Sequence, residues 1–267
     1  MAWPEITVVT PLIFILGTLL GSFLNVVILR YIKHKAASST RAVEPARSYC
    51  PECQQTLRWW ELVPLLSFIL LRGRCQRCGA AISLQYPLVE FAMGVAAVVI
   101  FSSFPSTITS MVASLVTLGI VACLLVLAFV DRATFLLPDQ YLIVLSVFCV
   151  TLILLQPTLL PWDIVGGIVI GAGFLFSLWL ITRGQGIGLG DIKLLIPLGA
   201  LFGVTATVMV LFLAFTIGGL VGIALLTRGH STMKTAIPFG PFLAGAAILV
   251  LLVPQLPTRF FLLLWGV

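Results

Sequence analysis

The chain has 267 residues, of which 60% are hydrophobic and only 9% charged. That balance excludes a soluble globular domain. Apolar runs near twenty residues recur along it and predict an all-α, multi-pass membrane protein. The net charge of +6 is placed as a topology signal, so no nucleic-acid partner is expected.

The runs predict about eight transmembrane helices, at 8–29, 85–101, 109–130, 139–156, 163–182, 192–203, 205–227 and 238–254. Seven is the alternative, because 192–203 is too short to cross ~30 Å of hydrocarbon as a straight helix. Three regions follow: a first helix at 1–29, a polar insert at 30–84 and a helical core at 85–267. Met1–Thr10 lacks a basic n-region and a small-residue cleavage site, so the first span is expected to be retained. Nine of fifteen Lys and Arg residues fall between Arg30 and Arg77. Arg132, Arg183, Lys193, Arg228 and Lys234 fall at helix ends on that same side, and Arg259 alone falls opposite. The bias predicts a cytoplasmic insert and an external N-terminus, with some basic residues touching anionic headgroups.

Span one carries Gly17, Gly21 and Ser22, small residues that let helices approach. Asn25, its one amide, predicts an interhelical hydrogen bond, with a site role as the alternative. The insert opens with a charged linker, Tyr31–Ser48, and then holds Cys50-Pro51-Glu52-Cys53 and Cys75-Gln76-Arg77-Cys78. Two such knuckles suit tetrahedral Zn²⁺, each giving two thiolates from a tight turn. A reducing cytoplasm disfavours disulfides. Arg72, Arg74 and Arg77 are expected to balance the negative thiolates. Between the knuckles, 59–66 is too apolar for a solvated loop and predicts a segment at the membrane interface.

Glu90, one turn into span two, needs a partner at bilayer depth: a Lys or Arg from a neighbouring helix end, or a role in a site. Cys123 and Cys149 read as packing residues. Asp131 closes span three at a helix C-terminus, where the macrodipole disfavours a negative charge. Asp139 after Pro138, and Asp163 after Trp162, read as helix N-caps. Span five is rich in glycine (Gly166, Gly167, Gly171, Gly173) and predicts close packing. Four glycines in 184–190 predict a mobile loop, not a phosphate cradle, since no Lys-Ser/Thr follows. Asp191 then opens span six, where Pro197 and Gly199 predict irregular backbone. His230 reads as a solvated loop residue. Pro238-Phe239-Gly240-Pro241 is a rigid turn on the cytoplasmic side, near both acids if the bundle closes, and 256–267 reads as interfacial.

Acids are expensive at bilayer depth, and two that converge, Asp131 and Asp191, point to acid–base chemistry on a water molecule. A transporter or ion relay using Asp131, Asp191 and Glu90 is the rival. It predicts acids nearer mid-span and inverted internal repeats, and neither is clear.

The ordered motifs narrow this further. They are Gly21-Ser22-Phe23-Leu24-Asn25-Val26-Val27, the cysteine knuckles, Arg72-Gly73-Arg74-Cys75 and Tyr86-Pro87-Leu88-Val89-Glu90. Asp131 then precedes Leu137-Pro138-Asp139, followed by Gly188-Leu189-Gly190-Asp191-Ile192-Lys193-Leu194 and Ile237-Pro238-Phe239-Gly240-Pro241-Phe242. Over nearly its whole length the chain resembles the bacterial type IV prepilin leader peptidases. The resemblance implies a Gly-x-Gly-Asp aspartyl protease of the bacterial inner membrane with Asp131 and Asp191 as the catalytic pair. Such enzymes remove the basic leader of prepilins and pseudopilins after a glycine, in pilus assembly or type II secretion. Many also methylate the new amine with S-adenosylmethionine, an activity associated with the zinc-bearing insert. Family members often read Arg-x-Pro after the first motif, whereas Arg30-Tyr31-Ile32 stands here, which bears on methylation and not on cleavage. An intramembrane aspartyl protease with other substrates would lack the cysteine insert. A docking module for pilus-assembly proteins is a further reading of that insert.

Overall fold

A computed structural model describes residues 3–36, 48–103, 107–227 and 237–265. His230, Arg228, Lys234 and most of the expected linker lie outside the described residues. The chain forms two compact units, Met1–Ser103 and Phe104–Val267.

In the first unit, α1 (Trp3–Ala36) packs on α3 (Gln85–Ser103), with the short α2 (Leu66–Leu70) in the insert between them. Small residues decide that packing. A Cβ on Gly17 would lie 2.7 Å from the Met93 carbonyl, and one on Gly21 would lie 2.7 Å from the Glu90 Cα. The two backbones therefore touch, as the sequence predicts for this stripe. The insert builds one turn twice. Antiparallel bridges join Tyr49 to Thr56 and Arg74 to Ala81. The Cys50 and Cys75 amides donate to Gln55 and Ala80 carbonyls at 3.0 and 2.8 Å. Gln54 (φ 55°) and Gly79 (φ 72°) take the left-handed position four residues after each first cysteine. Trp59, Ile69 and Leu70 of the intervening segment are exposed.

The second unit contains α4 (Ile108–Thr134), α5 (Asp139–Leu155), α6 (Pro161–Ile181), α7 (Leu189–Thr227), α8 (Gly240–Leu252) and α9 (Leu256–Trp265). Its core gathers Ile120, Leu124, Leu145, Leu175, Leu195 and Leu243, with Cys123 and Cys149 packed among them as expected. Among the described residues, five helices are long and apolar enough to cross a membrane, and α5 and α8 are shorter and apolar.

The helix α7 has 39 residues. At ~1.5 Å per residue it would run ~58 Å, about twice the hydrocarbon thickness. It does not run straight. Gly203 sits at φ 65°, ψ −170°, a conformation open in practice to glycine. The register against α6 shows what that residue does. Gly167 meets Gly199 and Gly171 meets Leu195, an antiparallel pairing. Gly166 meets Val204, Gly171 meets Thr207 and the Phe174 ring meets Phe215, a parallel one. The arms 189–202 and 204–227 are thus two antiparallel helices folded back at Gly203, matching the separate spans read at 192–203 and 205–227. The irregular backbone expected near Pro197 and Gly199 falls at Gly203 instead.

Two cap readings need correction. Pro138 occupies the N-cap of α5, and Asp139 is the first helical residue, in an exposed ion pair with Lys193 at 2.8 Å. Leu160 is the N-cap of α6, so Asp163 falls in the first turn, where the helix dipole favours its charge without a capping bond. In both cases the preceding proline belongs to the helix start itself, which shifts the acid inward.

Candidate active site

Asp131 lies in the last turn of α4 and Asp191 in the first turn of α7; each is 6% exposed. Both lie within the second unit, at the end where Gly190, the neighbour of Asp191, packs against Leu137 in the connection that follows Asp131. The structure therefore brings together the two acids that the sequence singles out. Their supports differ. The Gly240 N–H, at the first residue of α8, donates to Asp131 Oδ2 at 3.1 Å. Asp131 closes α4 unfavourably with respect to that helix's own dipole, but it faces the positive end of α8. Asp191 begins two residues inside α7, so it is not that helix's cap, and its Oδ1 is buried with no hydrogen-bond partner among the described residues.

Glycines shape this site through close approach more than through flexibility. A Cβ on Gly240 would stand 2.6 Å from Asp131 Oδ2. One on Gly190 would stand 2.9 Å from Leu137, in the α4–α5 connection, and one on Gly188 3.3 Å from Asp191 Oδ2. Of the loop glycines, Gly184 has a positive φ, 75°. The Gly-x-Gly-Asp spacing thus lets α7 begin against the α4–α5 connection. Sequence reasoning noted the Pro-Phe-Gly-Pro turn without assigning the Gly240 amide its role, which only the packing of α8 on α4 reveals. Chemically, a pair of buried carboxyl groups, each taking a backbone N–H (Gly240 for Asp131, Gly188 for Asp191) and one keeping a free oxygen, can hold and polarise a water molecule.

In the first unit, the Sγ atoms of Cys50, Cys53, Cys75 and Cys78 all lie within 4.8 Å of one another. Cys50 and Cys78 Sγ are 3.8 Å apart, the edge of a tetrahedron built on metal–sulfur bonds of ~2.3 Å. The backbone N–H groups of Cys78 and Arg77 hold the Cys75 thiol down to about 7. At Cys78 the Ala80 amide favours the thiolate, yet desolvation and the neighbouring sulfurs of Cys75, Cys50 and Cys53 push the thiol up to about 11. Four crowded sulfurs competing for protons suit a shared cation. Arg77 gives Cys75 its main-chain N–H, while its guanidinium donates to the Gln55 side chain.

Of the two readings of Glu90, the basic partner is not met among the described residues. Its Oε2 accepts the Leu65 N–H at 2.8 Å and its carboxylate takes a bond from Ser22, with no Lys or Arg among these partners. A backbone amide of the insert reaches it sooner than any long basic side chain. The Asn25 Nδ2 donates to the Tyr86 carbonyl at 3.2 Å, the interhelical bond foreseen for it.

Comparison with known proteins follows the same division. Residues 15–104 match the Bacterial Peptidase A24 N-terminal domain and residues 118–223 the Type IV leader peptidase family. A prepilin leader peptidase/N-methyltransferase of Burkholderia pseudomallei (strain 1026b) is 39% identical, over 94% of this chain and 87% of that protein. The chain belongs to the type IV leader peptidase family. Proteins with the same description from Aeromonas salmonicida (strain A449) and Pseudomonas putida are 36% and 37% identical. These alignments cover 94% and 89% of this chain and 93% and 88% of the relatives. No solved structure matches the chain. Membership places this multi-pass protein in the bacterial inner membrane.

Proposed function

We propose that this protein is a prepilin leader peptidase that also N-methylates the new N-terminus, with Asp131 and Asp191 as its catalytic acids. The observation that carries the reading is the convergence of two buried carboxyl groups from α4 and α7 in a chain of the type IV leader peptidase family. Two carboxyl groups at close quarters share one proton and titrate as a unit. The ionised member takes a proton from water as the water attacks the scissile carbonyl. The protonated member hydrogen-bonds the carbonyl oxygen and stabilises the developing oxyanion. Gly240 keeps Asp131 in place throughout. A prepilin carries a basic leader before an apolar helix, so its cleavage point falls at the cytoplasmic interface. The positive-inside bias puts the insert and the two acids on that side and the N-terminus outside.

The test is cleavage of a prepilin-like substrate in membranes by Asp131→Asn and Asp191→Asn, each alone. Each variant should lose at least ~100-fold in rate. A folded variant that still cleaves would remove its residue from the pair.

The four cysteines hold Zn²⁺ in this reading, because four thiolates at tetrahedral spacing with no open position suit a structural zinc. Cys50→Ser or Cys75→Ser should abolish stoichiometric zinc by elemental analysis and impair methylation; unchanged zinc content would refute the assignment. S-adenosylmethionine supplies the methyl group, and its amino-acid end carries a primary ammonium. Buried acceptors in the first unit fit such a group: Asn25 Oδ1 is unpartnered, and Glu90 is 6% exposed.

A further inference from the structure

The first unit holds a buried polar cluster that the acid pair does not use. Ser22 and Asn25 stand one turn apart on α1 and both face α3: Ser22 bonds Glu90, and Asn25 bonds the Tyr86 carbonyl. Asn25 is 1% exposed, and its Oδ1 has no partner. The orientation of that amide is decided by its neighbour. A carbonyl only accepts, so the nitrogen must face Tyr86 and the oxygen must be the free atom. Glu90 is anchored by Leu65 and Ser22, which fix its position and leave its charge unneutralised by any described Lys or Arg. Asn25 and Glu90 therefore present two acceptors, an amide oxygen and a carboxylate, at a depth where an unneutralised carboxylate is costly. Tyr86, between them, lies within electrostatic reach of both Cys50 and Glu90, so the metal-binding knuckle borders this cluster.

We infer that Asn25 and Glu90 form a binding site for a primary ammonium group. The inference rests on the peptidase–methyltransferase reading and deepens it. Tyr86 and Glu90 are one turn apart on α3, as Ser22 and Asn25 are on α1, so the residues carrying the two acceptors sit about one helical turn apart along the paired helices. A single tetrahedral nitrogen donating two hydrogen bonds of ~2.9 Å bridges acceptors roughly 5 Å apart, a span suited to side chains rooted one turn apart. A water molecule could satisfy the Asn25 oxygen but would not neutralise Glu90; an ammonium does both. Two reactants of N-methylation carry this group: the N-terminus of the mature pilin and the amino-acid end of the methyl donor.

Calorimetric binding to the full-length protein in lipid nanodiscs distinguishes them. One probe pair is a peptide with the N-terminal sequence of a mature pilin, with a free amine or acetylated. The other pair is S-adenosylhomocysteine and its deaminated analogue. In at least one pair the amine form should bind roughly tenfold tighter or more, as expected for a charge-assisted hydrogen bond. Glu90→Gln, which keeps the acceptor for Leu65, and Asn25→Leu should erase that preference; the responding pair identifies the source of the ammonium. Equal binding within both pairs by the wild-type protein overturns the inference, and so does a preference that survives both substitutions. The wild-type comparison needs no variant to fold. Absence of prepilin cleavage by the same wild-type discs is a separate result, and it counts against the peptidase reading.

Discussion

At the scale of single residues, the site depends on which atoms a side chain leaves room for. Gly240 illustrates this best. Its N–H reaches Asp131 Oδ2 at 3.1 Å because no Cβ stands 2.6 Å from that same oxygen. Gly240→Ala should displace the carboxylate or the start of α8, at a cost of about 1–3 kcal/mol, and lower cleavage far more than that stability loss explains. The check is the cleavage rate beside the thermal midpoint; full activity with an unchanged midpoint would show that the contact is dispensable. The contrasting case is the exposed ion pair of Lys193 with Asp139, whose side chains are 55% and 68% exposed. Such pairs contribute at most ~1 kcal/mol, so this pair is weak support for the α5–α7 contact. Asp131 and Asp191 could be singled out from sequence because a carboxylate inside an apolar run has few bland explanations. The roles of Asp139 and Asp163 could not, because a cap and a first-turn acid differ by one to three residues and by local geometry alone.

At the scale of elements, the α6–α7 hairpin depends on glycines that are not equivalent. A Cβ on Gly167 would stand 2.1 Å from the Gly199 carbonyl, whereas one on Gly173 meets only Val169, at 4.0 Å. Gly167→Ala should therefore lower the thermal midpoint and the folded yield sharply. Gly173→Ala should leave both unchanged or raise them, since alanine gains up to ~1 kcal/mol over glycine inside a helix. Gly203→Ala should cost about 1–3 kcal/mol through the left-handed backbone at the fold-back. Equal midpoints for the Gly167 and Gly173 variants would contradict this account of the packing. All four span-five glycines looked alike in sequence. Which of them touch a backbone depends on the register of α6 against both arms of α7, a property of no single segment.

At the scale of the whole molecule, the second unit has two distinguishable ends. A Cβ on Gly203 would lie 3.3 Å from Leu159, so the fold-back of α7 shares an end with the α5–α6 connection. Leu137 with Gly190, and Asp131 with Gly240, mark the other. Arg132, Arg183 and Lys193 cluster at that acid-bearing end by chain position. The positive-inside rule predicts a cytoplasmic location for that end. An export-dependent reporter inserted after Thr158 should be active and one inserted after Gln185 silent; the reverse pattern would overturn the orientation. The apolar helical character of the chain, the cysteine quartet and the burial of the two acids followed from sequence, since bilayer thickness, thiolate chemistry and the cost of buried charge act on composition and spacing locally. The reversal of α7 at Gly203, the Gly240 amide on Asp131 and the amide of Leu65 on Glu90 came from tertiary structure. Each is a contact between segments 25 or more residues apart, or a choice among glycines that read alike, and only packing decides which of them meet.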